Sequence, residues 1–192
     1  MEWLQAAGQT RILVIDNGST YPPLLEYYRT HARVLELRFA FRNLGPTAPW
    51  VLRLEQLRTR FIVSDPDVVP APGCPRDLVE RLHHMLDYYQ CSKVGPSLRI
   101  DNLPDCYAKK REVLRWEKQF WAKPVQGNCF QAAIDTTFAL YAAGSAPWPR
   151  EPHFRLAPPY AIEHVPWYED SAAAIPERDF YQGHAAGQWN HW

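Results

Sequence analysis

The stretch that most constrains this chain is residues 61–70, Phe-Ile-Val-Ser-Asp-Pro-Asp-Val-Val-Pro. A short apolar, β-branched run enters it, and such a run reads as a buried strand. Two carboxylates, Asp65 and Asp67, follow one residue apart. Buried strands of parallel sheets end at a crevice where ligands bind. Aspartates brought to such a place lose hydration, and a cation or a hydrogen-bond donor has to satisfy them. One reading is a divalent metal site that holds a phosphorylated ligand. The other is a solvated Asp-Pro-Asp turn, since proline and aspartate are ordinary turn residues. The surrounding chain has to decide between them.

Upstream, residues 11–15 (Arg-Ile-Leu-Val-Ile) form a continuous apolar strand that runs into Asp16-Asn17-Gly18-Ser19-Thr20. A carboxylate at a strand end, a glycine turn and two hydroxyls suit the ribose or base edge of a nucleotide. They equally suit an Asn-Gly turn in which Ser19 or Thr20 caps a helix starting at Pro22-Pro23. A helix over 22–30, a strand over 33–37, a loop at 42–46, a helix over 49–58 and the strand at 61–64 follow in order. This strand–helix alternation predicts an α/β fold with a mostly parallel sheet flanked by helices.

Downstream, Leu78, Val79, Leu82, Met85, Leu86 and Tyr89 recur at helical spacing and predict a sheet-packing helix over 75–90. Residues 93–100 read as a strand and 107–122 as a helix carrying Val113, Trp116, Phe120 and Trp121. Core packing accounts for most of those aromatics and leaves one as a platform for a sugar face. Asp135 reads as the cap of a helix ending near Gly144. Residues 154–157 and 160–164 read as strands, and 177–182 as helical. With no repeat and no long linker, the expectation is one domain over 1–192.

Composition narrows the classes further. Lys plus Arg and Asp plus Glu each total 21, so the net charge is zero and the footprint of a general nucleic-acid binder is missing. No apolar run is long enough to span a bilayer, and the start at Met1-Glu2-Trp3 lacks a signal-peptide pattern. Cys74, Cys91, Cys106 and Cys129 form no Cys-x-x-Cys pair, which points to a reducing, cytoplasmic setting.

Several segments taken together resemble family-2-type glycosyltransferases of the Rossmann-like GT-A fold. Residues 14–20 (Val-Ile-Asp-Asn-Gly-Ser-Thr) look like that family's second-strand signature, and Asn43-Leu44-Gly45 resembles its nucleotide-side loop. Ser64-Asp65-Pro66-Asp67 resembles its Asp-x-Asp motif. Residues 116–121, 134–141 and 159–168 are similar to segments of small bacterial and viral members. The resemblance covers about residues 10–185.

The resemblance implies transfer of a sugar from a nucleotide-diphosphate donor, a UDP-sugar first, to a hydroxyl acceptor of a glycan or cell-envelope polysaccharide. Asp16 and Asn43 would then contact the nucleoside. Asp65 and Asp67 would engage the ribose and a Mn²⁺ or Mg²⁺ ion that bridges the diphosphate. Asp135, which follows Asp67 by 68 residues, is the candidate general base, and His164, 97 residues after Asp67, is the third metal ligand. Asp170 and Glu169 are rivals for the base, and His184 for the ligand. The family's first strand is expected before the Asp16 segment, and this chain starts inside or after the helix that follows that strand. The alternative reading is therefore a module with this fold that binds a sugar or nucleotide without turnover.

Overall fold

The computed structural model describes residues 2–31, 36–134, 137–150 and 152–184. Where one domain is expected, contacts gather into two compact units, Met1–Leu54 with Ala172–His191, and Glu55–Ser171.

The first unit opens with helix α1 (Glu2–Ala6), which Gly8 ends at φ 80°. Strand β1 (Leu13–Asp16) leads through helix α2 (Pro22–His31) to β2 (Glu36–Phe39). β1 and β2 pair in parallel, with Leu13 opposite Glu36 and Asp16 opposite Phe39. The expected strand at 33–37 is thus seen from Glu36 onward, and residues 33–35 lie outside the described residues. The expected helix over 49–58 is broken. A 3₁₀ turn at Gly45–Thr47 feeds α3 (Ala48–Val51), and Arg53 at φ 51° stops it before a second 3₁₀ turn at Glu55–Arg58. A left-handed residue cannot continue a right-handed helix, so the apolar stripe of that segment is cut in two.

In the second unit, β3 (Phe61–Ser64) and β4 (Val68–Pro70) flank the two aspartates. Helix α4 (Leu78–Tyr89) buries Leu78, Val79, Leu82, Met85 and Leu86, the stripe expected from its spacing. Strand β5 (Lys93–Leu98) is buried along its whole length. Helix α5 (Lys110–Glu117) is tightened into a 3₁₀ turn at Lys118–Trp121. Then come β6 (Pro124–Val125), β7 (Cys129–Gln131), β8 (Phe138–Tyr141) and β9 (Phe154–His164). β9 runs unbroken through Pro158 and Pro159, where two separate strands are expected. A last helix, α6 (Pro176–His184), belongs to the first unit.

Both units mix α and β, as expected, but the larger sheet is not mostly parallel. Its order is β3-β8-β5-β9-β7-β6, with β4 paired to β9. Among the described strands of this larger sheet only β5 and β9 pair in parallel; its other five pairs are antiparallel. The cause is β8. Residues 134–144, expected as a helix, contain this strand instead, and it inserts between β3 and β5. β3 and β5 still run in the same direction, as the β3–α4–β5 alternation implies, but each now borders an antiparallel neighbour. Gly95 permits this close approach, because a Cβ there would meet the Phe138 carbonyl at 2.6 Å. No helix among the described residues is long and apolar enough to cross a membrane.

Candidate functional site

The predicted site residues fall at two places, one in each unit. In the larger unit, β4 pairs antiparallel with the end of β9, and Val68 stands opposite His164. The Val165 amide donates to the Asp67 carbonyl at 2.8 Å, which extends this pairing past the strand ends. Val68 is the residue paired with His164, and the turn before β4 places Asp67 beside it, with Asp67 Oδ2 3.4 Å from His164 Nε2. The Asp67 side chain is 41% exposed and that of His164 16%. The other oxygen, Asp67 Oδ1, is buried and has no hydrogen-bond partner among the described residues.

His164 is held firmly from behind. Buried Trp167 packs on its ring with centroids 5.0 Å apart. The Tyr168 hydroxyl donates to Asn102 Oδ1 at 2.8 Å, with the Arg99 carbonyl as a second acceptor at 3.2 Å sharing the same proton, which braces the 3₁₀ turn at Val165–Tyr168. Burial, reinforced by the Glu163 charge, raises the Tyr168 phenol and keeps it protonated as a donor. Sequence reading did not single out Trp167 or Tyr168 as supports. Their signal was the dense aromatic spacing directly after His164.

Asp65 belongs to a different pairing. Its amide donates to the Thr137 carbonyl at 2.9 Å, continuing the β3–β8 ladder, while Asp67 joins the β4–β9 corner. Among the described residues no group of three or more His, Cys, Asp or Glu side chains is placed to hold a metal ion. The expected trio thus resolves into a close pair, Asp67 and His164, with Asp65 on the β3–β8 ladder.

Asp135 lies outside the described residues, and the helix it was expected to open is absent, with β8 in its place. The two carbonyls before it are fixed by buried cations. Lys93 Nζ donates to Ile134 O at 2.7 Å, and Arg155 Nε donates to Ala133 O at 2.8 Å. Arg155 is also paired with buried Glu117 at 3.0 Å. Of the rivals, Glu169 and Asp170 follow the braced turn after His164. His184 sits in α6, and its Nδ1 bonds the Phe180 carbonyl of its own helix at 2.7 Å.

The second place is the carboxyl end of β1 and β2. Asp16 is 3% exposed, and its Oδ1 accepts the amides of Gly18 and Ser19 at 3.1 and 3.0 Å. Its carboxylate also acts on the Tyr28 phenol. Burial first, and the Asp16 charge second, push Tyr28 up to about 12. Asn43 is exposed, and its Oδ1 accepts the Gly45 amide at 2.8 Å. Asn17 joins the two loops: its Oδ1 accepts from the Leu44 amide at 2.9 Å, and its Nδ2 donates to Gly45 O at 3.0 Å. That role was missed, because an Asn-Gly pair reads first as a turn.

No family model matches this chain, and no curated protein and no solved structure matches it either.

Proposed function

We propose that this protein binds a nucleoside diphosphate through a divalent cation and uses it as the leaving half of a sugar donor, as a metal-dependent glycosyltransferase. The observation that carries the reading is the Asp67–His164 pair at 3.4 Å, formed by two residues selected from sequence and joined by β4–β9 pairing. A carboxylate oxygen and an imidazole nitrogen are ordinary ligands of Mn²⁺. Two protein ligands suffice where the substrate's phosphates and water fill the remaining positions, the usual arrangement for Mg²⁺ and similar hard ions. The buried Oδ1 of Asp67 supports this fit, as a second oxygen already desolvated. When bound, the ion supplies charge stabilisation to the departing diphosphate. Asp67 and His164 would hold it. Asp135 is the proposed base for the acceptor hydroxyl.

The test is thermal. Mn²⁺ with UDP at about a hundred times its Kd stabilises by about 2.7 kcal/mol, which is roughly 5–10 °C for a chain of this size. Asp67→Asn and His164→Ala should each abolish the shift. A parent protein that no nucleoside diphosphate stabilises would sink the reading. Hydrolysis of a UDP-sugar, lost in Asp67→Asn, separates an enzyme from a module that only binds.

A further inference from the structure

The smaller unit is short of a core. Of its described residues only Asp16 and Ala48 are buried, and α2 and α6 bury none. A two-stranded sheet is marginal by itself, and parallel strands are ordinarily covered on both faces. Here Leu25, Tyr27 and Phe39 stand exposed, and Phe41 is 89% exposed. Phe41 is also held there. Its φ of 57° is an outlier for a bulky side chain, and such strain persists only where the surroundings enforce it. Before it, the Ala40 amide donates to Asp16 O at 2.8 Å; after it, a Cβ on Gly18 would stand 2.9 Å from the Arg42 backbone.

The edge of β2 beside these rings is open. β2 pairs with β1 on one side, and among the described residues no strand pairs with its other side. An open edge offers its N–H and C=O groups to another chain. Successive side chains of a strand point to opposite faces. Glu36 and Arg38 therefore share one face, where their charged groups lie 3.7 Å apart. Leu37 and Phe39 share the other, which Tyr28 of α2 meets edge-on at 6.2 Å.

The order Glu36-Leu37-Arg38 is its own complement when reversed. In an antiparallel pairing with a two-fold axis at Leu37, Glu36 of each copy faces Arg38 of the other at a Cβ spacing of about 5 Å. The four charges then alternate in sign around the axis. Sliding the strands by two residues sets Arg38 against Arg38, which is repulsive. Charges on an edge discourage indiscriminate strand addition, and this pair admits one register of self-pairing. That register also brings the carboxyl end of one β2, with Phe39 and Phe41, to the amino end of the other.

We propose that β2 pairs with the β2 of a second copy of this chain, giving an antiparallel two-fold dimer. The inference uses the smaller unit alone and is independent of the nucleotide reading. Four-residue strands and the rings beside them bury less than the roughly 1,200 Å² of a stable complex, so the dimer is a transient, concentration-dependent one.

Sedimentation velocity across a concentration series tests this on the full chain. The parent should dimerise reversibly, and more weakly as salt is added. Glu36→Arg sets four positive charges around the axis and should weaken the dimer about tenfold or more. The swapped variant, Glu36→Arg with Arg38→Glu, restores the alternation and should restore the dimer. Both side chains are exposed, and a far-UV circular dichroism spectrum matching the parent's checks the fold of each variant. A parent that stays monomeric at every concentration overturns the inference. So does a dimer indifferent to Glu36→Arg, which would pair elsewhere, and so does a swapped variant that dimerises no better than Glu36→Arg alone.

Discussion

At the carboxyl ends of β1 and β2, side chains hold the loops. Asp16 Oδ1 takes two amides and Asn17 takes one more, so the geometry there rests on single hydrogen bonds at a partly exposed edge. At the Asp67–His164 corner the backbone does the holding, through the antiparallel pairing of β4 with β9. β9 is anchored in turn by Arg155, whose ion pair with Glu117 lies at 3–4% side-chain exposure. The difference teaches that strand pairing can carry a close pair of side chains, whereas the loops after β1 and β2 need side-chain hydrogen bonds to hold them. The two places should therefore fail differently when their supports are removed.

The largest effect is expected in the larger unit. Glu117→Ala leaves the Arg155 guanidinium buried without its carboxylate, and removing one partner of a buried pair costs about 3–5 kcal/mol. Urea unfolding should show that loss, and Glu117→Gln, which keeps a hydrogen-bonding oxygen, should lose less. A cost below about 1 kcal/mol for Glu117→Ala would mean that the pair does not anchor β9.

A smaller and more local effect is expected at the other edge. Asn17→Ala removes the acceptor of the Leu44 amide and the donor to Gly45 O. Each partly buried group left unpaired costs about 1–3 kcal/mol at most, and water reaches this edge to reduce it. The expectation is a loss of about 1–2 kcal/mol, with faster hydrogen exchange at Leu44 than in the β4–β9 ladder. A loss as large as that of Glu117→Ala, or accelerated exchange at Val165, would break the comparison.

These supports also mark where the sequence could be read. β3, the two aspartates, α4 and the His164 strand end were legible, because each carries a local pattern: β-branched residues, proline turns or a helical stripe. β8 was not. Residues 134–141 (Ile-Asp-Thr-Thr-Phe-Ala-Leu-Tyr) offer a cap residue, a short apolar run and a later glycine, which fit a helix as well as a strand. Only long-range pairing with Ser64 and Val94, through Phe138 and Leu140, decides for the strand. The antiparallel character of the sheet was hidden for the same reason. Insertion of a later strand between β3 and β5 leaves no trace in the β3–α4–β5 alternation. The split between Asp65 and Asp67 follows from it, since Asp65 joins the ladder to β8 and Asp67 does not.

The smallest effect is a titration that asks how far Asp16 is committed to its own chain. Tyr28 is an acid whose folded pKa, about 12, lies above the ordinary tyrosine value near 10. Below pH 10 the phenol is protonated in both folded and unfolded chains, and its stabilising contribution is fully present. As pH rises from about 10 toward 12 the unfolded chain ionises first, so stability falls through that window. Burial is the larger cause and the Asp16 charge the next. Asp16→Asn should therefore lower the Tyr28 midpoint only part of the way, followed by the ring resonances of Tyr28 in NMR. Superimposable titrations of Asp16→Asn and the parent would show that the carboxylate does not act on the phenol. The expected downward shift would show a charged Asp16 shared among the Gly18 and Ser19 amides and Tyr28.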